Sequence, residues 1–264
     1  DLESLIPAND VIVGVTAKGY VNAPREDVFR KQHRGGKGVI AIRLREKDTL
    51  QHIFKANTHD HLLVFTTAHK AYKIRGFQLP SLRRDAKGEN LRGLIEMGEA
   101  DEVCAMLRLP LDEVERLHSV MITRNGIVNR NRLRDYVNAH TGGILAVNAV
   151  PDDFTVQVRM TEGTGDLLLV SEKGQAIRFQ EKAVRCTARP SKGVRGMRLN
   201  AGDGLVSFVE VLPDDPEDML LLVTRNGYGK RTKLQLFERQ GRGGKGVLGI
   251  KTTQKTGDVV SAVK

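Results

Sequence analysis

With 264 residues, 40% of them hydrophobic, the chain can bury the core of one large all-β domain or of two ordinary ones. Its net charge of +10 points to a polyanionic partner, while the absence of Trp and the 5% of aromatic residues argue against a single-strand binder built on stacking platforms. No apolar run approaches the ~18–20 residues of a spanning helix and no basic amphipathic helix stands out, so a membrane is not expected as partner.

Asp1-Leu2-Glu3-Ser4 has no signal-peptide pattern, and Cys104 and Cys186 are isolated, without a Cys-x-x-Cys. Both points set a reducing cytoplasm as the expected compartment and make a disulfide framework unexpected.

In chain order, five short apolar runs each end at a turn: Val11–Val13, Leu62–Phe65, Val120–Ile122, Leu167–Val170 and Leu220–Val223. Their length, and the polar turn signals around them, predict buried strands rather than helices. The turn after each run carries Gly19, His69, Gly126, Gly174 or Gly227. His is one of the non-glycine residues that visits positive φ more readily. A second landmark glycine follows at Gly38, Gly88, Gly143, Gly193 and Gly246, after 19, 19, 17, 19 and 19 residues. Successive second landmarks lie 50, 55, 50 and 53 residues apart, so the chain reads as five copies of a repeat of about fifty residues.

A third strand is expected after each second landmark, as over Val39 to Leu44 or Val194 to Leu199. After an acidic turn comes a fourth, as over Leu50 to Phe54 or Leu205 to Val209. In the last repeat the fourth strand should lie at Asp258-Val259-Val260, close to the end of the chain. A helical patch is expected over Leu111 to Leu117 and little helix elsewhere. Four strands at this period make the fold class all-β and propeller-like, with about five four-stranded blades. The expected boundaries are 10–59, 60–117, 118–165, 166–217 and 218–264 within a single domain over 1–264.

Two loops dominate the chemistry. Gln32, His33, Arg34, Gly35, Gly36, Lys37 and Gly38 return near the other end as Gln240-Gly241-Arg242-Gly243-Gly244-Lys245-Gly246. Each is a tight cationic loop in which glycines free the backbone, and exposed N–H groups beside Arg and Lys make a phosphate seat. The charge also follows the repeat. Windows 18–45, 70–92, 124–143, 173–198 and 225–251 carry +6, +5, +3, +7 and +7. That leaves −18 for the rest of the chain. Equivalent segments of a repeated fold take equivalent places, so these windows are expected to form one belt. Arg34 and Lys37 in the first repeat are the expected phosphate ligands, and Arg242 and Lys245 repeat them in the fifth. Arg83, Arg84 and Lys87, then Arg189, Lys192 and Arg195, continue the belt, with Lys230 and Arg231 joining it. The third repeat is expected to be weakest, because His140-Thr141-Gly142-Gly143 has no Lys or Arg.

Gln32 to Gly38 resembles the basic heptad box of the DNA gyrase A subunit, Gln-Arg-Arg-Gly-Gly-Lys-Gly. Six of seven positions match, with His33 in place of Arg; the second copy also matches six, with Gly241 at that position. Asp10 to Val13, Gly19-Tyr20-Val21, Ala56 to His61, Gly193 to Gly196 and Asn226 to Thr232 also resemble the C-terminal domain of the same gyrase chain, so the likeness covers essentially the whole sequence.

The resemblance implies a β-pinwheel whose blades exchange strands, and a non-catalytic domain that wraps duplex DNA with positive handedness. It implies ATP-dependent negative supercoiling by the holoenzyme, with cleavage and ATP hydrolysis elsewhere. The implied protein partners are the ATPase B subunit, together with the rest of the A subunit. The surroundings of Tyr20, Tyr72, Tyr136 and Tyr228 do not match those of the family's cleaving tyrosine. The family domain usually has six blades where five repeats are visible here. The paralogous topoisomerase IV subunit, which has fewer or degenerate blades and an eroded box, is the nearest alternative.

His59-Asp60-His61, with His52 nearby, could be read as a metal site, but no further ligands at zinc-like spacing accompany it, and Asn57 and Asp60 read as turn formers. Asp152-Asp153 and Asp214-Asp215 stand beside Pro in loops and read as solvated turns. No metal, cofactor or catalytic residue is expected. Two further classes remain: a propeller that binds an acidic protein, and a propeller enzyme, for which the sequence offers no convergent side chains.

Overall fold

The computed structural model describes residues 2–29, 40–148, 150–213 and 217–264. The strands in chain order are β1 (Asp10–Thr16), β2 (Tyr20–Asn22), β3 (Leu50–Asn57), β4 (His61–Thr66), β5 (Lys70–Arg75), β6 (Glu89–Asn90) and β7 (Val103–Leu109). They continue as β8 (His118–Thr123), β9 (Ile127–Arg132), β10 (Ile144–Leu145), β11 (Thr155–Thr161), β12 (Asp166–Ser171), β13 (Gln175–Gln180) and β14 (Val194–Arg195). The last are β15 (Leu205–Val211), β16 (Met219–Thr224), β17 (Gly229–Lys233), β18 (Val247–Leu248) and β19 (Val259–Val263). Seven short 3-10 turns accompany them, with no α-helix among the described residues.

All five apolar runs fall in first strands: β1, β4, β8, β12 and β16. Every neighbour in the sheets is antiparallel, in the orders β3-β1-β2-β6, β10-β5-β4-β7, β11-β8-β9-β14, β15-β12-β13-β18 and β17-β16-β19. The all-β, five-sheet expectation therefore holds. Four sheets have four strands and the fifth has three among the described residues. The fourth strand expected at the end of the chain is β19, paired with β16.

The chain divides into two compact units. The first comprises residues 1–114 and 136–146 and contains the first two sheets. The second comprises 115–135 and 147–264 and contains the other three. In the first, Val11, Val13, Val15, Leu62, Val64, Tyr72, Ile74 and Met106 form one buried cluster. In the second, Leu168, Val170, Leu220 and Leu222 form one cluster and Val120, Ile122, Leu167, Leu169 and Phe208 another. Both faces of β12 are buried along its whole length, which is why its sequence is continuously apolar instead of alternating.

The two landmark series are left-handed turns. Gly19, His69, Gly126, Gly174 and Gly227 have φ between 64° and 90°. Gly88, Gly143, Gly193 and Gly246 have φ between 69° and 81°, while Gly38 lies outside the described residues. The second series also marks a close approach. A Cβ at Gly246 would stand 2.2 Å from the Ala176 carbonyl oxygen, and one at Gly193 would stand 1.7 Å from Asn129 Oδ1.

The third strand departs from expectation in two ways: it is two residues long and it ends early. It belongs to the sheet of the preceding repeat, which is the strand exchange that the resemblance implies. Glu89–Asn90 pairs with Tyr20–Val21, Ile144–Leu145 with β5, Val194–Arg195 with β9 and Val247–Leu248 with β13. Gly196 N–H then donates to Gly126 O and leads the chain away after Arg195. In the first repeat Val39 lies outside the described residues, and Ile40 to Leu44 forms bends in place of a strand. The expected helix at Leu111–Leu117 is a run of turns, opened by a Glu113 N–H to Pro110 O bond. Seven residues are too few for a helix to hold without a packed apolar face.

Candidate nucleic-acid interface

Strand exchange decides where the charged loops lie. Each loop begins in one repeat and ends as the edge strand of the sheet before it. In the first unit the loop Pro80–Gly88 lies along β2. Asn22, fully buried, holds it from beneath: its Nδ2 donates to Arg83 O at 2.9 Å and its Oδ1 accepts from Leu82 N–H at 3.0 Å. Arg83, Arg84 and Lys87 are all exposed above this anchor. Arg83 leans on Asp85 at 3.4 Å, and Arg43 reaches the same carboxylate at 3.7 Å. Arg84 and Lys87 make no ion pair within the described residues. The loop over residues 137–143, which has no Lys or Arg, lies along β5 of the second sheet, where Lys73 Nζ donates to Val137 O. Burial, then the charge of Arg75, holds the Lys73 ammonium pKa below its ordinary value.

In the second unit two basic loops are zipped together. Gly243 N–H donates to Gly196 O and Arg198 N–H to Gly244 O, both at 2.8 Å. Lys192, Arg195 and Lys245 are exposed on them, with no ion pair within the described residues. Gly243, Gly244 and Gly246 carry the loop along β13, and Gly243 has φ 84°. Arg242 is half-buried and donates to Arg195 O at 2.5 Å and to Ala183 O at 3.1 Å, so part of its guanidinium holds the two loops together. Arg189 is likewise half-buried, its Nε donating to Asp135 O at 2.6 Å. On β17, Lys230 and Arg231 are exposed and Lys230 Nζ donates to Gly249 O at 2.9 Å. Gln32, His33, Arg34, Gly35, Gly36, Lys37 and Gly38 lie outside the described residues.

Sequence reasoning counted charges that are committed to the fold. Arg130 Nε is 2.9 Å from Glu181, which is fully buried and also accepts from Thr161. Arg178 Nε is 2.7 Å from the buried Asp166 and donates to Leu234 O and Phe237 O. Arg92 donates to the carbonyls of Lys18, Gly98, Glu99 and Asp101. Arg124 pairs with Glu172, whose hydrogen bonds raise the Arg124 pKa. The basic windows therefore mix exposed cations with internal clamps.

Two repeated positions went unread. A hydroxyl stands three residues before each first landmark, at Thr16, Thr66, Thr123, Ser171 and Thr224, and all five are buried. Thr16, Thr123 and Ser171 accept the N–H of the residue after the turn glycine. An aspartate opens the fourth strand: Asp48, Asp153 and Asp203 each accept the backbone N–H of Lys18, Asn125 and Lys173 at 3.0–3.1 Å. Aligning the five runs on their turn residues would have revealed both. Three of the aspartates outside the basic windows thus tie hairpins to their fourth strands.

At the other sites, Asp60 accepts the Asn57 N–H at 2.7 Å and Asn57 Oδ1 the His59 N–H at 3.0 Å, as turn formers do. His59 Nε2 is 2.7 Å from Ile6 O. Among the described residues no three His, Cys, Asp or Glu side chains are grouped to hold a metal ion, and no helix is long and apolar enough to cross a membrane.

A family model described as the DNA gyrase C-terminal domain, beta-propeller, matches residues 25–57, 60–103, 120–162, 165–211 and 218–264. The DNA gyrase A subunit of Haloquadratum walsbyi is 36% identical over 260 residues, covering 97% of this chain and 30% of that protein. The chain thus spans about a third of the length of the curated relatives it matches. A solved gyrase A C-terminal domain superposes with a TM-score of 0.78 at 27% identity, covering 96% of this chain and 82% of that one. The C-terminal domain of a DNA topoisomerase IV gives 0.77 at 26%, covering 98% and 78%.

Proposed function

Because this chain belongs to the family of DNA gyrase C-terminal beta-propeller domains, we propose that it binds duplex DNA through the phosphate backbone and bends it along the basic sheet edges. The observation that carries this reading is the placement of the cationic loops. Each described loop is laid along a sheet edge by strand exchange, and Arg84, Lys87, Lys192, Arg195 and Lys245 project from them without an internal ion pair among the described residues. Arg and Lys on such edges neutralise phosphates without reading bases, so binding is largely independent of sequence. Bending a few helical turns costs on the order of 1–6 kcal/mol, which several phosphate contacts per sheet offset.

In this reading the domain carries no catalytic site. It is the wrapping part of the A subunit of a type II topoisomerase. It works beside the ATPase B subunit, with DNA cleavage in another part of its own chain, in ATP-dependent negative supercoiling. The topoisomerase IV domain is nearly as close in backbone, so the fold does not choose between the two. The two nearly intact boxes at Gln32–Gly38 and Gln240–Gly246 favour gyrase.

The test is topological. A nicked plasmid is bound by increasing amounts of the chain, ligated, stripped of protein and read for linking number at low and moderate salt. A protein-dependent positive shift that weakens with salt is expected. Salt-sensitive binding with no shift would reduce the assignment to a basic DNA-binding domain without chiral wrapping. A preference for acidic protein over duplex DNA, with no dependence on duplex length, would replace it.

A further inference from the structure

Six residues beyond each first landmark stand Arg25, Arg75, Arg132, Gln180 and Lys233. On the first sheet this position is open. Arg25 lines a cleft of about 480 Å³ together with Arg83 and Arg84 of the basic loop, and its own partner is the exposed Asp27. The repeat register gives Arg75 the same place on the second sheet, whose own loop over 137–143 supplies no cation.

There the guanidinium is occupied. Arg75 Nη1 donates to Glu3 Oε2 at 2.7 Å, and Nη2 donates to Glu3 Oε1 and to His59 O at 2.9 Å. A carboxylate accepting two parallel N–H bonds from one guanidinium has the geometry that a phosphate would take. The carboxylate is carried by a strap, Leu2 to Asn9, held by polar contacts. These are His59 Nε2 to Ile6 O at 2.7 Å, Thr58 Oγ1 to Pro7 O at 2.9 Å, and the Asn9 N–H to Thr58 Oγ1 at 3.0 Å. Leu5 is 80% exposed and adds no apolar anchorage to the strap, while Ile6 is half-buried. A segment held this way opens at low local cost.

We propose that the strap is a releasable mask over Arg75, and that Arg75 is a further phosphate ligand, on the sheet whose basic loop is otherwise uncharged. The inference rests on the DNA-binding reading above. Duplex phosphate competes with the Glu3 carboxylate for one guanidinium, and DNA binding lifts the strap.

The experiment measures duplex affinity of the full chain from 50 to 200 mM salt for four forms: unaltered, Glu3→Ala, Arg75→Gln and the double variant. Glu3→Ala is expected to bind about three- to tenfold tighter with the slope of the unaltered chain, and Arg75→Gln to flatten the log–log salt slope by about 0.9, the increment for one phosphate. The gain is expected to disappear in the double variant. Amide exchange at Ile6 and Asn9 is expected to accelerate when DNA is added to the unaltered chain. An unchanged affinity in Glu3→Ala overturns the mask, and an unchanged slope in Arg75→Gln overturns the phosphate contact. A gain that survives in the double variant also overturns the mask, since it would report the loss of a negative charge and not the release of Arg75. Absence of salt-dependent binding by the unaltered chain overturns the DNA-binding reading itself and is read from a different curve.

Discussion

Single residues in this chain are fixed by backbone sign and by close approach, and the two demands separate cleanly. Gly227 has φ 82° and open space within 4 Å of where a Cβ would stand, so its glycine answers to conformation alone. Gly246 has φ 73° and faces the Ala176 carbonyl, so it answers to both. Gly227→Ala should therefore cost about 1–2 kcal/mol, the left-handed penalty of an L residue. Gly246→Ala should cost more than that and loosen the β13–β18 pairing, as read by chemical denaturation of both variants and by amide exchange at Leu248. Equal losses would show that the approach of the loop to β13 is soft.

The Glu3–Arg75 contact has a pH signature. The hydrogen bond from Arg75, with a smaller contribution from its charge, holds the Glu3 carboxyl below its ordinary value. A depressed carboxyl stabilises the folded contact above the ordinary carboxylate pKa and loses it as pH falls through the lowered one. Exchange protection of the strap should accordingly be full at neutral pH and fall away on acidification below about pH 4, near the ordinary glutamate value. Protection independent of pH down to about 3, well under that value, would assign the strap's hold to its backbone contacts.

At the level of elements, the first strands were legible because each buries enough aliphatic side chain to leave a run, and the fourth because an apolar run follows an acidic turn, although in β3 Leu50 and Ile53 are exposed. The exchanged strands were not legible in their partners. Val194–Arg195 and Val247–Leu248 are two residues long, and two residues carry no period. What marks them is the glycine that lets them dock, so the sequence located the handover without revealing which sheet receives it. The aspartates at the fourth strands were visible as charge and silent as structure. Asp203 accepts the Lys173 N–H at 3.0 Å, the Gly204 N–H at 2.8 Å and the Ser171 hydroxyl at 2.7 Å, closing hairpin and fourth strand with one carboxylate. Its removal leaves three donors without their acceptor. Asp203→Ala should destabilise the second unit by about 2–4 kcal/mol, on the scale of hydrogen bonds to a charged group. The amides of Lys173 and Gly204 should lose protection first. A loss confined to a few tenths of a kcal/mol would mean that water replaces the carboxylate at that corner.

For the whole molecule, the positive sum of the basic windows overstates what a polyanion meets. Arg130 and Arg178 count toward it, yet each is turned inward onto a carboxylate that is almost fully buried, Glu181 and Asp166. Lys192, Arg195 and Lys245 lie in the same kind of window and face solvent. Composition and repeat spacing do not separate the two sets, because a cation clamped on a buried carboxylate and one open to solvent add the same charge to a window. The distinction predicts two separable phenotypes. Replacing Lys192, Arg195 and Lys245 together by Ala should leave stability within about 0.5 kcal/mol, as for surface positions. It should flatten the log–log salt dependence of duplex binding by about 2.7, three phosphates at about 0.9 each. Arg178→Ala should do the reverse. The buried Asp166 loses its 2.7 Å partner and, among the described residues, keeps Arg239 at 3.0 Å, so the loss should fall somewhat below the about 3–5 kcal/mol of a buried charge left with no partner. The salt slope of the fraction that remains folded should be unchanged, since that guanidinium does not face the duplex. Denaturation and salt titration of the same two proteins read both quantities. A flattened slope in folded Arg178→Ala would place it among the DNA contacts and restore it to the belt that the sequence alone suggested.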